Sequence, residues 1–301
     1  VNAPTPEQQI ALGTAQFGLD YGITNRSGQV CPSESQALLK AAWDGGIRVL
    51  DTAPAYGNCE SLLGASIQAA SDRAWRIVTK TLPLKTSRLA SSDLSRVDRS
   101  FSDSLARLKV DAVDTLLVHH APDLLNPGGD RLWEWMISRK QLGHCQHLGI
   151  SIYSREEALS VLDRFDIDVV QLPASLADQR LLRDGTVARL HQAGVAVHVR
   201  SLFLQGVLLS DPAFIAEHFP AQSRWATSLW AEYKRQGITP LQACIGFFRA
   251  QPEFSFAVIG VTCESELTAL LAAWDKAPRQ DWSHWAADSP TFTDPRQWRS
   301  A

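Results

Sequence analysis

GIRVLDTAPAYGNCESLLGASIQAASDRAWRIVTK, residues 46–80, is the stretch on which the architecture is read. An apolar run at 48–52 ends in the loop DTAPAYGN, an amphipathic segment follows at 60–70, and a second apolar run closes at Lys80. The runs are rich in Val, Ile and Leu and rarely alternate with polar residues, as strands buried on both faces do. Strand, helix, strand is the repeating unit of a parallel sheet.

The same alternation extends in both directions. Further apolar runs lie at 10–14, 113–119, 147–151, 168–172, 195–200 and 256–260. Helix-like segments lie at 33–44, 92–108, 130–141, 155–163, 178–192, 240–250 and 264–274. Start and stop residues punctuate several of them: Ser33 before Glu34, Ser154 before Glu156 and Glu157, and Gly45, Gly143 and Gly194 after theirs. Eight strands alternating with eight helices predict an α/β chain folded as a closed (β/α)8 TIM barrel, with residues 1–301 forming a single domain. An open doubly wound sheet is disfavoured, because no G-x-G-x-x-G follows the first strand. No repeat, low-complexity tract or linker divides the chain. The stretch 200–234 is longer than a barrel needs, and its Phe214, Phe219, Trp225 and Trp230 read as pocket-shaping aromatics. Trp282, Trp285 and Trp298 predict that the tail after Lys276 packs on the body.

Composition narrows the function classes. The formal net charge is −3 with scattered basic residues, so nothing resembles a nucleic-acid footprint. No apolar stretch approaches the roughly 20 residues of a membrane span. The start, VNAPTPEQQ, lacks the charged region and apolar core of a leader. Cys31, Cys59, Cys145, Cys244 and Cys263 are odd in number and form no C-x-x-C pair, which points to a reducing cytoplasm and against disulfides. The residues specify no oligomeric state.

In a barrel, functional groups belong at the C-terminal ends of the strands. Those ends carry Asp51, Lys80, His119, Ser151, Gln171, Ser201 and Gly260, with Tyr56 in the loop after Asp51. Tyr56, Lys80, Asp51 and His119 together make a proton-transfer unit. A free phenol has a pKa of about 10, and a nearby ammonium is expected to lower it. Lys80 would supply that charge, Asp51 would hold Lys80 ionised and aimed, and His119 would bond a carbonyl or relay the proton. Taken singly, each of these residues could be structural, and His119 could be a satisfied core histidine. His119 and His120, adjacent on a strand, face opposite ways and make no metal pair. His144, Cys145 and His147 fall at the start of a strand, on the stability face, and read as a polar turn. No metal site is expected, and Cys59 reads as inert, with a reactive thiol near the pocket as the alternative.

The segment GIRVLDTAPAYGNCESLLG resembles the signature of the aldo-keto reductases. LGTAQFG at 12–18, IVTK at 77–80 and DTLLVHHAPD at 114–123 resemble further family segments. So do HLGISIYS, DVVQLP, VRSLFLQGVLL, VIGVTCESEL and the terminal DPRQW, in the right order over essentially the whole chain. The likeness is to bacterial members. It implies reversible hydride transfer between a nicotinamide and a carbonyl of a small aldehyde, ketone or sugar-like substrate, with Tyr56 as general acid/base. Carried over motif by motif, Ser151 and Gln171 would hold the nicotinamide carboxamide, with Thr14 and Arg200 also binding the cofactor. Ser201, Gln205 and Gly206 would line the pyrophosphate path, and Gly260, Thr262 and Glu266 would approach the adenosine.

The sequence departs from the family's pattern at particular places. Ile152 stands where many members have Asn after the serine. Arg200 stands where an aromatic often stacks on the nicotinamide, and a guanidinium there would favour the reduced ring. At the adenosine end, Glu264 and Glu266 replace the usual basic residues, and Ala269 and Leu270 replace a Glu-Asn pair. A carboxylate suits a free ribose hydroxyl and repels a 2′-phosphate. NAD(P)H is therefore the expected cofactor, with NADH favoured over NADPH. The competing expectations are a lyase, isomerase or dehydratase that kept the proton-transfer residues and lost hydride chemistry, and a non-enzymatic scaffold.

Overall fold

The computed structural model describes residues 8–70 and 72–298. The leader reading rests on the first nine residues, of which 1–7 lie outside the described ones. The strands are β1 Gln9–Gly13, β2 Val49–Asp51, β3 Arg76–Lys80, β4 Val113–Val118, β5 Cys145–Ser151, β6 Val169–Pro173, β7 Ala196–Arg200 and β8 Phe254–Gly260. They pair in parallel in chain order, and β8 pairs back to β1, closing the barrel. The expected (β/α)8 fold is the one adopted.

The non-alternating apolar runs follow from two cores. Ala11, Val49, Val78, Leu117 and Val169 meet inside the barrel, joined by Ala196, Phe256 and Val258. Their neighbours Leu12, Leu50, Ile77, Leu116 and Val170 face outward into the larger core under the helices. Beyond the exposed entry residues Gln9, Arg76, Gln146 and His147, the strands are covered on both faces, which is why the runs do not alternate.

Several elements differ from the sequence expectation. The helix expected over 178–192 is two, Arg180–Arg183 and Thr186–Gln192. Gly185 between them sits at φ +79°, and the Asp184 carboxylate accepts a 2.9 Å bond from the Thr186 amide, so Asp-Gly makes a turn. The first long helix is Pro32–Asp44, capped by Cys31 rather than Ser33, because Pro32 fits a first turn whose amides lack partners anyway. β5 starts at Cys145, which is buried, so the expected polar turn at 144–147 is instead the entry of a strand. The His147 Nδ1 there lies 3.6 Å from the Asp114 carboxylate. Among the described residues no three His, Cys, Asp or Glu side chains are grouped to hold a metal.

The stretch 200–234 is also not a bare loop: it holds the helix Pro212–His218 and most of the helix Ser223–Gln236. None of the four aromatics read there as pocket-shaping lines the main cavity: Phe214 stacks on His218, Trp230 meets Tyr233, and Phe219 and Trp225 pack on the tail. Trp225 Nε1 donates to the Trp285 carbonyl at 3.0 Å, and the Phe219 ring lies 5.1 Å from Phe292 and 5.2 Å from Trp298. Trp282 is fully buried, as the tail reading requires. Among the described residues no helix is long and apolar enough to cross a membrane.

Candidate active site

Side chains along a strand alternate between faces, so the residue two beyond each inward apolar residue also points inward, one layer higher. Applied to the barrel interior, this rule takes Ala11 to Gly13, Val49 to Asp51, Val78 to Lys80, Leu117 to His119, Val169 to Gln171 and Val258 to Gly260. The apolar filling of the barrel thus ends in a layer of polar groups at the C-terminal face. Register holds that layer together: Gly13 pairs with Asp51 and with Gly260, and Ser151 with Gln171.

Lys80 is fully buried beneath this layer, its ammonium 2.7 Å from Asp51 Oδ1 and 2.9 Å from the Thr52 carbonyl it bonds. Asp51 Oδ2 accepts from Gln171 Nε2 at 2.7 Å. Each carboxylate oxygen therefore has one donor, and the buried ion pair is locked. Gln171 keeps its carbonyl oxygen for another partner.

Tyr56 is carried over this pair by a turn in which its amide donates to the Ala53 carbonyl at 3.0 Å. Gly57, at φ +57°, lets the turn close against the helix Ala15–Gly18, since a Cβ there would lie 2.3 Å from the Gly18 carbonyl oxygen. The Lys80 ammonium lies 5.3 Å from the Tyr56 ring centroid, and the His119 ring meets Tyr56 edge-on at 6.0 Å. Burial first, and then the Asp51 carboxylate, push the Tyr56 phenol well above 10. This corrects the sequence expectation that Lys80 lowers it: the ammonium is already answered by Asp51, and the aromatic face is what it meets. Burial, helped by the charges of Lys80 and Arg200, pushes His119 down to about 3, so its ring is neutral. Its buried Nδ1 has no protein partner among the described residues. The Cys59 thiol is buried, bonds Thr14 and is pushed up to about 11 by burial, which makes it inert.

A cavity of about 720 Å³ runs from Tyr56 and His119 to Thr262, Glu266 and Leu270. It is lined by every site residue the sequence singled out except Lys80, which lies behind Asp51. One wall is the turn after β7, where Ser201, Leu204, Gln205 and Gly206 all have positive φ. Non-glycine residues seldom take that conformation, and they do so where a site requires it. At the far end Glu266 Oε2 accepts from the Thr262 amide at 2.7 Å and its hydroxyl at 3.0 Å, holding the carboxylate at the start of the helix Glu264–Lys276. A nicotinamide dinucleotide fits these residues: the cavity is elongated, polar where the strands end, and of ordinary ligand size.

Arg200 lines the cavity at the end of β7. Its Nη2 donates to the Ile152 carbonyl at 3.1 Å and its guanidinium carbon lies 4.0 Å over the Tyr153 ring. One face is thus taken by protein, and only the other could meet a nicotinamide.

Sequence reasoning missed the first βα loop. Tyr21, Thr24 and Arg26 line the cavity, and Thr24 Oγ1 donates to the Gln205 carbonyl at 2.9 Å while the Ile23 amide donates to Gln205 Oε1 at 3.3 Å. The signal was there, in the long polar GLDYGITNRSGQ between the first strand and its helix.

The sequence model of the Aldo/keto reductase family matches residues 9–287. The chain belongs to this family. Among relatives of this aldo-keto reductase, pyridoxal 4-dehydrogenase of Microbacterium luteolum is 27% identical over 242 residues, covering 66% of this chain and 68% of the relative. A probable voltage-gated potassium channel subunit beta of Oryza sativa is 27% identical over 297 residues, covering 86% and 88%. Among solved structures, an aldo-keto reductase from Bacillus halodurans in its holo form superposes with a TM-score of 0.70 at 17% identity, over 96% of this chain and 94% of that one. At that identity the superposition speaks to the fold alone. Family membership implies NAD(P)H-dependent carbonyl reduction.

Proposed function

We infer that this aldo-keto reductase reduces the carbonyl of a small aldehyde, ketone or sugar-like compound, reversibly, with Tyr56 as general acid/base. The observation that carries this is the juxtaposition of a protonated phenol and a neutral, partnerless imidazole on one cavity wall above the Lys80–Asp51 pair. The nicotinamide, when bound, supplies or accepts the hydride. The protein's part is to hold the carbonyl oxygen between Tyr56 and His119, donate the Tyr56 proton to it, and keep water out. A phenol held well above 10 is protonated throughout the neutral range, so the proton is in place for reduction. Ser151 and the free carbonyl oxygen of Gln171 would orient the carboxamide.

The lyase or isomerase alternative arose from the unusual adenosine end. That end still opens on the shared cavity, with Thr262, Glu266, Ala269 and Leu270 lining it, which favours a dinucleotide reading. Glu266 also supports NADH over NADPH, because its fixed carboxylate faces the region a 2′-phosphate would enter. We take residues 1–301 as one functional unit, in a reducing cytoplasm where its free cysteines stay reduced.

Titrating tryptophan fluorescence with NADH and NADPH tests the reading. Saturable quenching by either nucleotide is expected, and no binding of either would remove hydride transfer.

A further inference from the structure

Of the two cations that line the cavity, Arg26 is exposed on the first βα loop and Arg200 is half-buried at the end of β7, and among the described residues neither has an acid partner. Lys80 is paired with Asp51, His119 is neutral, and the Tyr21 and Tyr56 phenols are held above their ordinary value, which leaves the Arg200 guanidinium. It ends β7 and lines the same cavity as Tyr21, Tyr56 and His119. Among the described residues no carboxylate lies within 4.0 Å of it, and its one protein acceptor is the Ile152 carbonyl. None of its nitrogens is among the buried atoms without a partner, so its remaining N–H groups are open to the cavity and free to meet a ligand.

This group is also built in place. Tyr153 has Arg200 at 4.0 Å and Arg296 at 3.5 Å from its ring centroid, and two guanidiniums at those distances cannot share a face. The ring is therefore sandwiched. Arg296 is answered by Asp294, through Nε–Oδ1 at 2.9 Å and Nη2–Oδ2 at 2.7 Å. Arg200 has the same stacking but no acid. Stacking fixes the plane of the guanidinium and leaves its edge to bind, the geometry suited to two-pronged contact with a carboxylate or phosphate.

We propose that the reacting carbonyl compound carries an anionic group, carboxylate or phosphate ester, and that Arg200 binds it while Tyr56 and His119 hold the carbonyl. This rests on the carbonyl-reductase reading above and names its substrate class. The nicotinamide ring is cationic when oxidised and neutral when reduced, so the ring does not supply the counter-charge, and the dinucleotide's pyrophosphate is the competing anion that the variant's NADH affinity tells apart from the substrate.

Two matched pairs test it: 4-carboxybenzaldehyde against 4-methylbenzaldehyde, and glyceraldehyde 3-phosphate against glyceraldehyde, each with NADH and with NADPH. In the wild type, kcat/KM of at least one anionic member should exceed that of its neutral partner by about tenfold or more, chiefly through KM. The pair that shows it tells carboxylate from phosphate. In Arg200→Met the ratio should fall to near one, and in Arg200→Lys, which keeps charge without the planar fork, it should be intermediate. A wild-type ratio near one in both pairs overturns the proposal without needing a variant, as does a ratio that survives Arg200→Met. A parallel loss for both members together with weaker NADH binding also overturns it, since Arg200 then serves the dinucleotide. If no pair is turned over, the reductase reading fails instead. Calorimetric binding of 4-carboxybenzaldehyde against 4-methylbenzaldehyde then decides the anion site alone: equal affinities overturn it.

Discussion

At the scale of single residues, the site separates groups that hold from groups that react. Tyr56→Phe removes only a hydroxyl, so kcat should fall a hundredfold or more while nucleotide binding persists. Retention of more than about a tenth of the activity would take Tyr56 out of its role. Lys80→Met acts differently, because it leaves the Asp51 carboxylate buried with Gln171 as its remaining donor. Breaking a buried pair in this way costs about 3 kcal/mol or more, which denaturant unfolding will read directly. His119 makes a pH prediction. Its folded value of about 3 lies below the ordinary 6.5, so the unfolded chain takes up a proton in that window and the folded site does not. Its stability contribution is complete above the ordinary value and is lost as pH falls through the window towards the folded one. Ring NMR, assigned with His119→Asn, should show His119 not titrating near neutrality. A midpoint there would contradict the neutral-imidazole account.

At the scale of elements, the turn after β7 and the first βα loop form one device. Gly206 sits at φ +88°, and a Cβ on it would lie 2.0 Å from Thr24 Oγ1. Gly206→Ala should therefore detach the 21–27 loop from Gln205 and raise the Kd for NADH several-fold, with little change in far-UV circular dichroism. An unchanged Kd would show that the loop latch is irrelevant to the cofactor. The elements also show what was legible in the sequence. Strand ends such as Asp51, Lys80 and His119 were readable because alternation along a buried strand fixes which residues rise above the apolar layer. The Thr24–Gln205 latch was not, since two loops meet through a backbone carbonyl and a tight glycine, which leave no periodic trace. The position of Arg200 depended on Tyr153, which is 47 residues away in the chain and adjacent only once β5 and β7 close over β6. The helix break at Gly185 was written plainly as Asp-Gly and was overridden by the apolar period around it.

At the scale of the molecule, the cavity joins a catalytic end with an unanswered cation to an adenosine end with a fixed carboxylate. The cations that line it are Arg26 and Arg200; Arg224 and Lys234 do not reach it. Repulsion between Glu266 and a 2′-phosphate, partly screened, is on the order of 1 kcal/mol, so NADH should bind roughly tenfold more tightly than NADPH. Glu266→Arg should narrow or reverse that gap, and a clear NADPH preference in the wild type would sink the argument. The central claim is that this barrel moves a hydride from nicotinamide to a carbonyl at Tyr56. The most direct test gives the wild type NADH deuterated at C4 on either face, with 4-carboxybenzaldehyde as acceptor, and analyses the alcohol by mass spectrometry. Deuterium on the new carbinol carbon from one face of the nicotinamide, abolished in Tyr56→Phe, is the predicted result. An aldehyde consumed without gaining deuterium from either face would contradict the account.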